Sequence, residues 1–281
     1  MIFNDKYFHI NYLINYLINY LINYLIMGFS LSHTSSKTCK KFFNLFNNIT
    51  NNTAIIIDTY GIHVKCSNKK FKIDSTLDEI SFTTYNCKRE YILALSIKHI
   101  NRILTKHTDM DSIRILYSGQ SNILFILNQS YRYSIPCTII QNKTYITQLN
   151  TLDDLDYQVE FETTPNHMYT ILKSSSKQKS EQKSEQKSKK YIHIHSNVEN
   201  QCIYINDLCI SKNKKIDLYH FVKNLNECYS NDYINQIVKN SIKQSVSTLL
   251  FGVYAQRSMK ITAYIDEYNY IEYYISSLKT C

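Results

Sequence analysis

Positive charge is concentrated on one face of a short segment in the first half of the chain. Apolar residues recur there with helical spacing and predict an amphipathic helix; they are Ile97, Ile100, Ile103 and Leu104. The opposite face has no acid before Asp109, and it carries Lys98, His99, Arg102, Lys106 and His107. Such a face suits an anion such as a phosphate group. The alternative is a solvated charged surface, the usual environment of lysine and arginine.

Catalytic and metal-binding patterns are missing from the sequence. It contains no glycine-rich phosphate loop, no HExxH motif, no nucleophile elbow and no paired carboxylates in an apolar frame. His193 and His195 alternate in the segment YIHIHS, and without a third ligand nearby they are interpreted as strand histidines, not as a metal site. We therefore expect a protein that is not an enzyme and that needs no cofactor or metal.

The composition favours an anionic partner. The chain has 281 residues, enough for one or two domains, and a formal net charge of +9. Nucleic acid and an anionic membrane surface would both suit this charge. Part of the excess lies in residues 174–190, SSSKQKSEQKSEQKSKK, whose polar, repetitive composition predicts a disordered insertion.

The cysteines are scattered along the chain. No CxxC pair and no histidine at zinc spacing accompanies them, so structural zinc is not expected. Most fall in or beside apolar strands, as reduced core thiols do, which favours an intracellular protein without disulfides. The positions are Cys39, Cys66, Cys87, Cys137, Cys202, Cys209, Cys228 and Cys281.

A perfect repeat precedes the part of the chain that has a foldable pattern. Residues 11–26 are four copies of NYLI, and Met27 follows directly. The repeat is shorter than the ~20 apolar residues of a membrane span, and it has an Asn at every fourth position. We expect residues 1–26 to be a disordered extension or to lie outside the fold.

The predicted elements follow one plan twice. In the first half, a helix after Ser35 and Ser36 is followed by strands, the basic helix and a hairpin that turns at Gly119. In the second half, a strand over 157–162 precedes a helix that begins with Pro165, and another helix over 232–242 precedes three final strands. A polar connector over 141–156 separates them. A plan repeated across a connector indicates two related domains.

The residues from Phe82 to Leu127 resemble the proliferating cell nuclear antigen (PCNA) family of sliding DNA clamps. The segments that carry the resemblance are FTTYNCKRE, YILALS, NRILTK and SIRILYSGQSNILFIL, in the family's order and spacing. AIIIDTYGIHVKC resembles the family's first hairpin, and IEYYISS stands where the family has its terminal aromatic strand. The resemblance covers the chain from Met27 to the C-terminus, interrupted by the lysine-rich insertion.

The resemblance implies an α+β fold of two clamp domains, each with β-sheets outside and two helices on the inner face. The domains would span residues 27–140 and 157–281, joined by the connector 141–156. Three copies would close head to tail into a ring around double-stranded DNA. A contact between unlike surfaces forms such a ring when its rotation closes.

The same resemblance implies two sets of binding residues. The helices would contact DNA phosphates without reading bases, through Lys37, Lys40, Lys41, Lys98, Arg102, Lys106, Lys173, Lys239 and Lys243. Partner proteins would dock on the outer face between the connector and the last strand, at Leu149, Leu152, Tyr274 and Ser276. Ser276 and Ser277 depart from the small residue and proline that the family tends to have there.

The function implied is that of a processivity factor, which tethers DNA polymerase to its template. Its partners would be DNA, DNA polymerase, a clamp loader and two further copies of itself, with no membrane. Heavy use of Asn, Ile, Lys and Tyr suggests an AT-rich genome, such as that of a large DNA virus, which implies the host nucleus or a cytoplasmic replication site. The alternatives are a diverged clamp-fold protein of viral late transcription that does not encircle DNA, and a basic protein of the membrane surface.

Overall fold

The computed structural model describes most of the chain beyond Met27. The described residues are 27–67, 70–119, 122–141, 157–177, 191–200, 202–206, 208–211, 215–221, 224–254 and 258–278. The NYLI repeat, nearly all of the connector and most of the lysine-rich insertion lie outside them. Among the helices in these ranges, none is both long enough and apolar enough to cross a membrane.

The elements follow the repeated plan predicted from the sequence. The first half runs through β1 (Met27–His33), α1 (Lys37–Leu45), β2 (Asn52–Ile57), β3 (Gly61–Ser67), β4 (Phe71–Asp78), a 3-10 turn (Glu79–Ser81), β5 (Thr84–Cys87), β6 (Tyr91–Ser96), α2 (Ile97–Leu104), β7 (Ile113–Ser118), β8 (Ile123–Leu127), β9 (Arg132–Pro136) and β10 (Thr138–Ile139). The second half runs through β11 (Tyr157–Thr163), α3 (Pro165–Lys177), β12 (Tyr191–Asn197), β13 (Cys202–Ile205), β14 (Leu208–Cys209), β15 (Ile216–Phe221), β16 (Asn226–Ser230), α4 (Asn231–Lys243), β17 (Leu249–Tyr254), β18 (Ser258–Tyr264) and β19 (Tyr270–Ser276).

Each half contributes one five-stranded and one four-stranded unit of antiparallel sheet. In the first half these are β5-β1-β7-β8-β9 and β6-β2-β3-β4, with the short β10 added beside β6. In the second half the corresponding units are β15-β11-β17-β18-β19 and β16-β12-β13-β14. The plan that the sequence repeats is therefore also repeated in the strand order of the sheets.

The two halves are fused through a shared sheet. Strand β19 of the second half pairs with β4 of the first from Tyr270↔Thr76 to Ile275↔Phe71, which makes one sheet of ten strands. Most of the buried apolar side chains of both halves form one contiguous core, which extends from Phe29 to Ile275, and Ala54, Ile56 and Ile92 form a small separate cluster. The halves therefore stabilise one another through common apolar burial as well as through strand pairing.

Helix α1 is held in place by its apolar stripe and by two serines. The Phe42 ring packs edge-on against Phe43 and Phe46, with centroids 5.2 and 5.4 Å apart. Ser36 occupies the N-cap, but its hydroxyl donates to the carbonyl of Thr108 (2.6 Å) and does not cap the helix. Ser35 accepts from the amide of Lys37 at 3.2 Å. Ser36 thus occupies the N-cap position without a capping hydrogen bond from its side chain, and Ser35, the residue before it, supplies the hydroxyl that the first helical amide contacts.

Three features differ from the sequence predictions. Helix α3 continues through Lys177, into the run that was predicted to be disordered. Strand β16 was missed because its segment, NECYS, is short and polar, although Cys228 and Tyr229 are buried in it. Among the cysteines that the structure describes, six are free thiols and Cys228 is disulfide-bonded. The prediction of a protein without disulfides is therefore wrong.

Candidate functional site

The four helices of the part of the chain that the structure describes form a continuous row with basic outer positions. Helix α1 packs on α2, α3 packs on α4, and α1 contacts α4 across the two halves, which gives the order α2, α1, α4, α3. Helices α1, α2 and α3 contain no acidic residue, and α4 contains Asp232 alone. A row of helices with this charge can attract a polyanion along its whole length.

Most of the lysines and arginine predicted to bind DNA are exposed on or beside this row. The exposed side chains are Lys37, Lys98, Arg102, Lys106, Lys173, Lys239 and Lys243, and Lys41 is partly exposed. The helices form because their apolar stripes, such as Ile234, Ile237 and Val238 in α4, are buried against the sheets and leave the lysines outside. These positions agree with the predicted surface, and their contact with DNA remains a prediction.

Lys40 differs from the other predicted DNA-binding residues. Its side chain is only 14% exposed, and its ammonium pairs with the carboxylate of Asp109 at 3.0 Å. The same ammonium donates to the main-chain carbonyl of His107. Lys40 therefore ties α1 to the loop after α2, and an ammonium already paired with a carboxylate has less to gain from a phosphate.

The structure describes two of the four predicted partner-binding residues, Tyr274 and Ser276. Tyr274 is buried, and its hydroxyl donates to the carboxylate of Glu272 at 2.6 Å. Ser276 is exposed at the end of the same strand, where its amide donates to the carbonyl of Lys70 at 3.0 Å. Leu149 and Leu152 lie outside the described residues, so their place beside β19 stays a prediction.

A polar cleft lies on the ten-stranded sheet where the two halves meet, and sequence reasoning found only one of its residues. It has a volume of about 470 Å³. Its lining comes from both halves: His63, Lys65, Asp74, Thr76, Tyr157, Tyr254, Lys260, Tyr270, Glu272 and Tyr274. The signal that could have found it was the alternation of Tyr270, Glu272 and Tyr274 along β19, which predicts one face of that strand to be polar.

Two interactions shape the wall of the cleft. The rings of Tyr157 and Tyr254 stack with centroids 4.6 Å apart, and the ammonium of Lys260 pairs with Glu272 at 3.1 Å. Burial acts to lower the pKa of Lys260, but the Tyr157 hydroxyl and the Glu272 carboxylate outweigh it and raise the pKa above its ordinary value. Lys260 thus stays charged, and the cleft suits a partner that can form hydrogen bonds.

Comparison with solved structures identifies the fold. The chain is similar to the PCNA of Entamoeba histolytica, with a TM-score of 0.69 and 10% sequence identity over 90% of this chain and 99% of that one. It is also similar to the PCNA2–PCNA3 complex of Sulfolobus tokodaii, with a TM-score of 0.68 and 10% identity over 88% of this chain and 98% of that one. No protein-family model and no curated protein matches the sequence. At this identity the likeness shows the fold alone: the chain has the α+β clamp fold that the sequence predicted.

Proposed function

We propose that this protein is a sliding clamp, in which three copies close head to tail into a ring around double-stranded DNA. The observation that carries the proposal is that β9 and β14, two of the strands at open sheet edges, are the counterparts of β19 and β4, which pair with each other within the chain. It is supported by the basic row of helices and by the clamp fold.

Within one chain, the two halves meet at a single pairing of sheet edges among the described residues. Strand β19, the last of one five-stranded unit, pairs with β4, the last of the other half's four-stranded unit. The first half's five-stranded unit ends at β9, and the second half's four-stranded unit ends at β14. Among the described residues, each of these two strands pairs on one side only. Open sheet edges present unpaired N–H and C=O groups that can pair with another chain.

A second copy can supply what each open edge lacks. If β9 of one copy pairs with β14 of the next, the junction between copies repeats the junction within the chain. This contact joins two different surfaces, so it propagates from copy to copy and ends when the ring closes. Closure after three copies would give six repeats of the plan, with the helix row along the inner wall.

The basic inner wall would hold DNA without fixing its position. Lysine and arginine contacts with phosphates carry no sequence information, so the ring could move along the duplex. The outer surface would then tether DNA polymerase and receive a clamp loader, with Tyr274, Ser276 and the connector leucines Leu149 and Leu152 on the docking side. Such a protein acts as a scaffold and would work where DNA is replicated, in a host nucleus or a cytoplasmic viral replication site.

Retention on circular DNA tests encirclement. The protein is loaded on a nicked circular duplex, separated from free protein by gel filtration in high salt, and the DNA is then linearised. A ring is expected to stay on the circle and to slide off the linear ends. Equal loss from circular and linear DNA would refute encirclement, and it would leave a clamp fold that binds DNA only from one side.

A further inference from the structure

The junction between the halves contains a set of side chains that bind the C-terminal end of α1. The hydroxyl of Tyr273 and the amide of Asn240 both donate to the carbonyl of Leu45, at 3.1 and 3.0 Å. Asn240 and Gln236 also donate to the carbonyl of Asn47, at 2.8 and 3.3 Å. The last carbonyls of a helix lack partners within the helix, so Tyr273 and Asn240 satisfy the carbonyl of Leu45, and Asn240 and Gln236 hold the turn that follows α1.

Strand register identifies the counterpart of Tyr273 in the first half. In each half, the first strand pairs with the strand that follows the second helix, β1 with β7 and β11 with β17. Next to the first helix these pairings end at His33↔Ile113 and at Thr163↔Leu249. Two residues along the ladder from each of these pairs, a row of four directly paired residues crosses the sheet, and the row has the same place in both halves. The rows are Leu31, Ile115, Ile126 and Tyr133 in the first, and Phe161, Phe251, Ile261 and Tyr273 in the second. Tyr133, on the open-edged strand β9, therefore corresponds to Tyr273.

The second helix of each half supplies the other counterparts. Helices α2 and α4 both begin after a serine N-cap, Ser96 and Ser230. Counted from these serines, Arg102 takes the position of Gln236, and Lys106, which lies just past the end of α2, takes the position that Asn240 has within α4.

The three counterparts are accessible at the open edge. Arg102 and Lys106 are exposed, and Tyr133 is half-buried. The ammonium of Lys106 lies 5.1 Å from the centre of the Tyr133 ring, just as Asn240 and Tyr273 meet at the carbonyl of Leu45. No hydrogen bond of the Tyr133 hydroxyl occurs within the described residues.

We propose that Tyr133, Lys106 and Arg102 bind the C-terminal carbonyls of helix α3 in a second copy of this chain. Helix α3 corresponds to α1, because Met168, Ile171 and Leu172 are buried as Cys39, Phe42 and Phe43 are. Its last turn starts at Ser174 and ends at Lys177. Two cations replace the neutral Asn240 and Gln236, and cations are favoured at the negative end of a helix dipole. Arg102 and Lys106 then act in assembly and not on DNA phosphates, an assignment that rests on the proposed ring.

Self-association of single variants tests this assignment. Tyr133→Phe removes one hydroxyl and should raise the dissociation constant between copies about fivefold, as expected for one neutral hydrogen bond. Lys106→Met keeps the aliphatic part and removes a charged donor, so about tenfold or more is expected. Lys98→Met on α2 is the matched control, and it should leave association unchanged while weakening DNA binding. Sedimentation velocity over a concentration series measures all three.

The outcomes separate this inference from the proposed function. If the parent chain is monomeric at every concentration, the ring fails and the inference fails with it. If the parent assembles and both variants assemble as tightly, the ring stands and the inference is wrong; a loss of DNA affinity in these variants would then make the two side chains DNA contacts or neighbours of them. A photo-reactive benzoylphenylalanine at Tyr133 should cross-link to residues 165–177 of another copy, and cross-links elsewhere would overturn the assignment.

Discussion

The junction within the chain can be tested by one substitution, Asn240→Ala. The Asn240 side chain is 3% exposed and donates to the carbonyls of Leu45 at 3.0 Å and Asn47 at 2.8 Å. Its own oxygen accepts from Gln236 at 2.9 Å. Alanine removes all three bonds without introducing a new group, so the drop in stability reports how strongly α4 holds the end of α1.

The expected magnitude follows from the geometry. Each hydrogen bond contributes about 1 kcal/mol net, and a buried carbonyl left without a donor costs more. Tyr273 still donates to Leu45 and Gln236 still donates to Asn47 after the change, so the three lost bonds set the effect, and we expect a decrease of about 2–3 kcal/mol in the free energy of unfolding. For a chain of this size that corresponds to a fall in Tm of about 4–6 °C.

Urea unfolding followed by circular dichroism measures this decrease, with thermal unfolding as a second readout. Lys239→Ala is the control, since Lys239 is the preceding residue on the same helix and is exposed. Exposed substitutions of this kind change stability by less than about 0.5 kcal/mol. If Asn240→Ala lowers the free energy of unfolding no more than the control does, the amide contacts do not hold the halves together. The inferred contacts between copies, which are argued from those of Asn240, would then be unsupported.

Three further predictions follow from separate features. Substituting an exposed lysine of the helix row should lower the slope of log affinity for duplex DNA against log salt by ~0.9 for each phosphate that the lysine neutralised, as measured by fluorescence anisotropy on Lys98→Ala, Lys239→Ala and Lys243→Ala. Gly252→Ala should lower Tm and perturb the near-ultraviolet tyrosine signal, because a Cβ there would overlap the Tyr157 ring; an unchanged spectrum and Tm would contradict this packing. Burial lowers the pKa of His107, so folding favours its neutral form, and the stability it contributes should be complete above about pH 6.5 and fall as the pH is lowered further. His107→Gln should flatten that dependence in urea titrations between pH 7.5 and 5, and an unchanged slope would exclude His107 as its source.

The sequence predicted the repeated plan because local patterns determine it. The stripe of Ile97, Ile100 and Ile103 marks α2, and all three side chains are buried as the helical period requires. The last of the three final strands was likewise expected, and its Ile271, Tyr273 and Ile275 are buried on one face, as strand alternation requires. Elements whose own residues face one core could therefore be found without any knowledge of the fold.

Contacts between distant segments could not be predicted in the same way. Lys40 has the same local pattern as its neighbouring lysines, and its pairing with Asp109 depends on how the loop after α2 meets α1. Asn240 lies within a polar stretch of α4, and only the tertiary structure brings it to the end of α1. Strand β14 has two residues, too few for any periodicity to identify it as an open edge.

Sedimentation equilibrium of the purified protein tests the central claim most directly, because the proposed pairing of β9 with β14 of the next copy requires self-association. We expect a species of three times the 33.2 kDa chain mass at micromolar concentration. A single species of 33.2 kDa across the whole concentration range would contradict it.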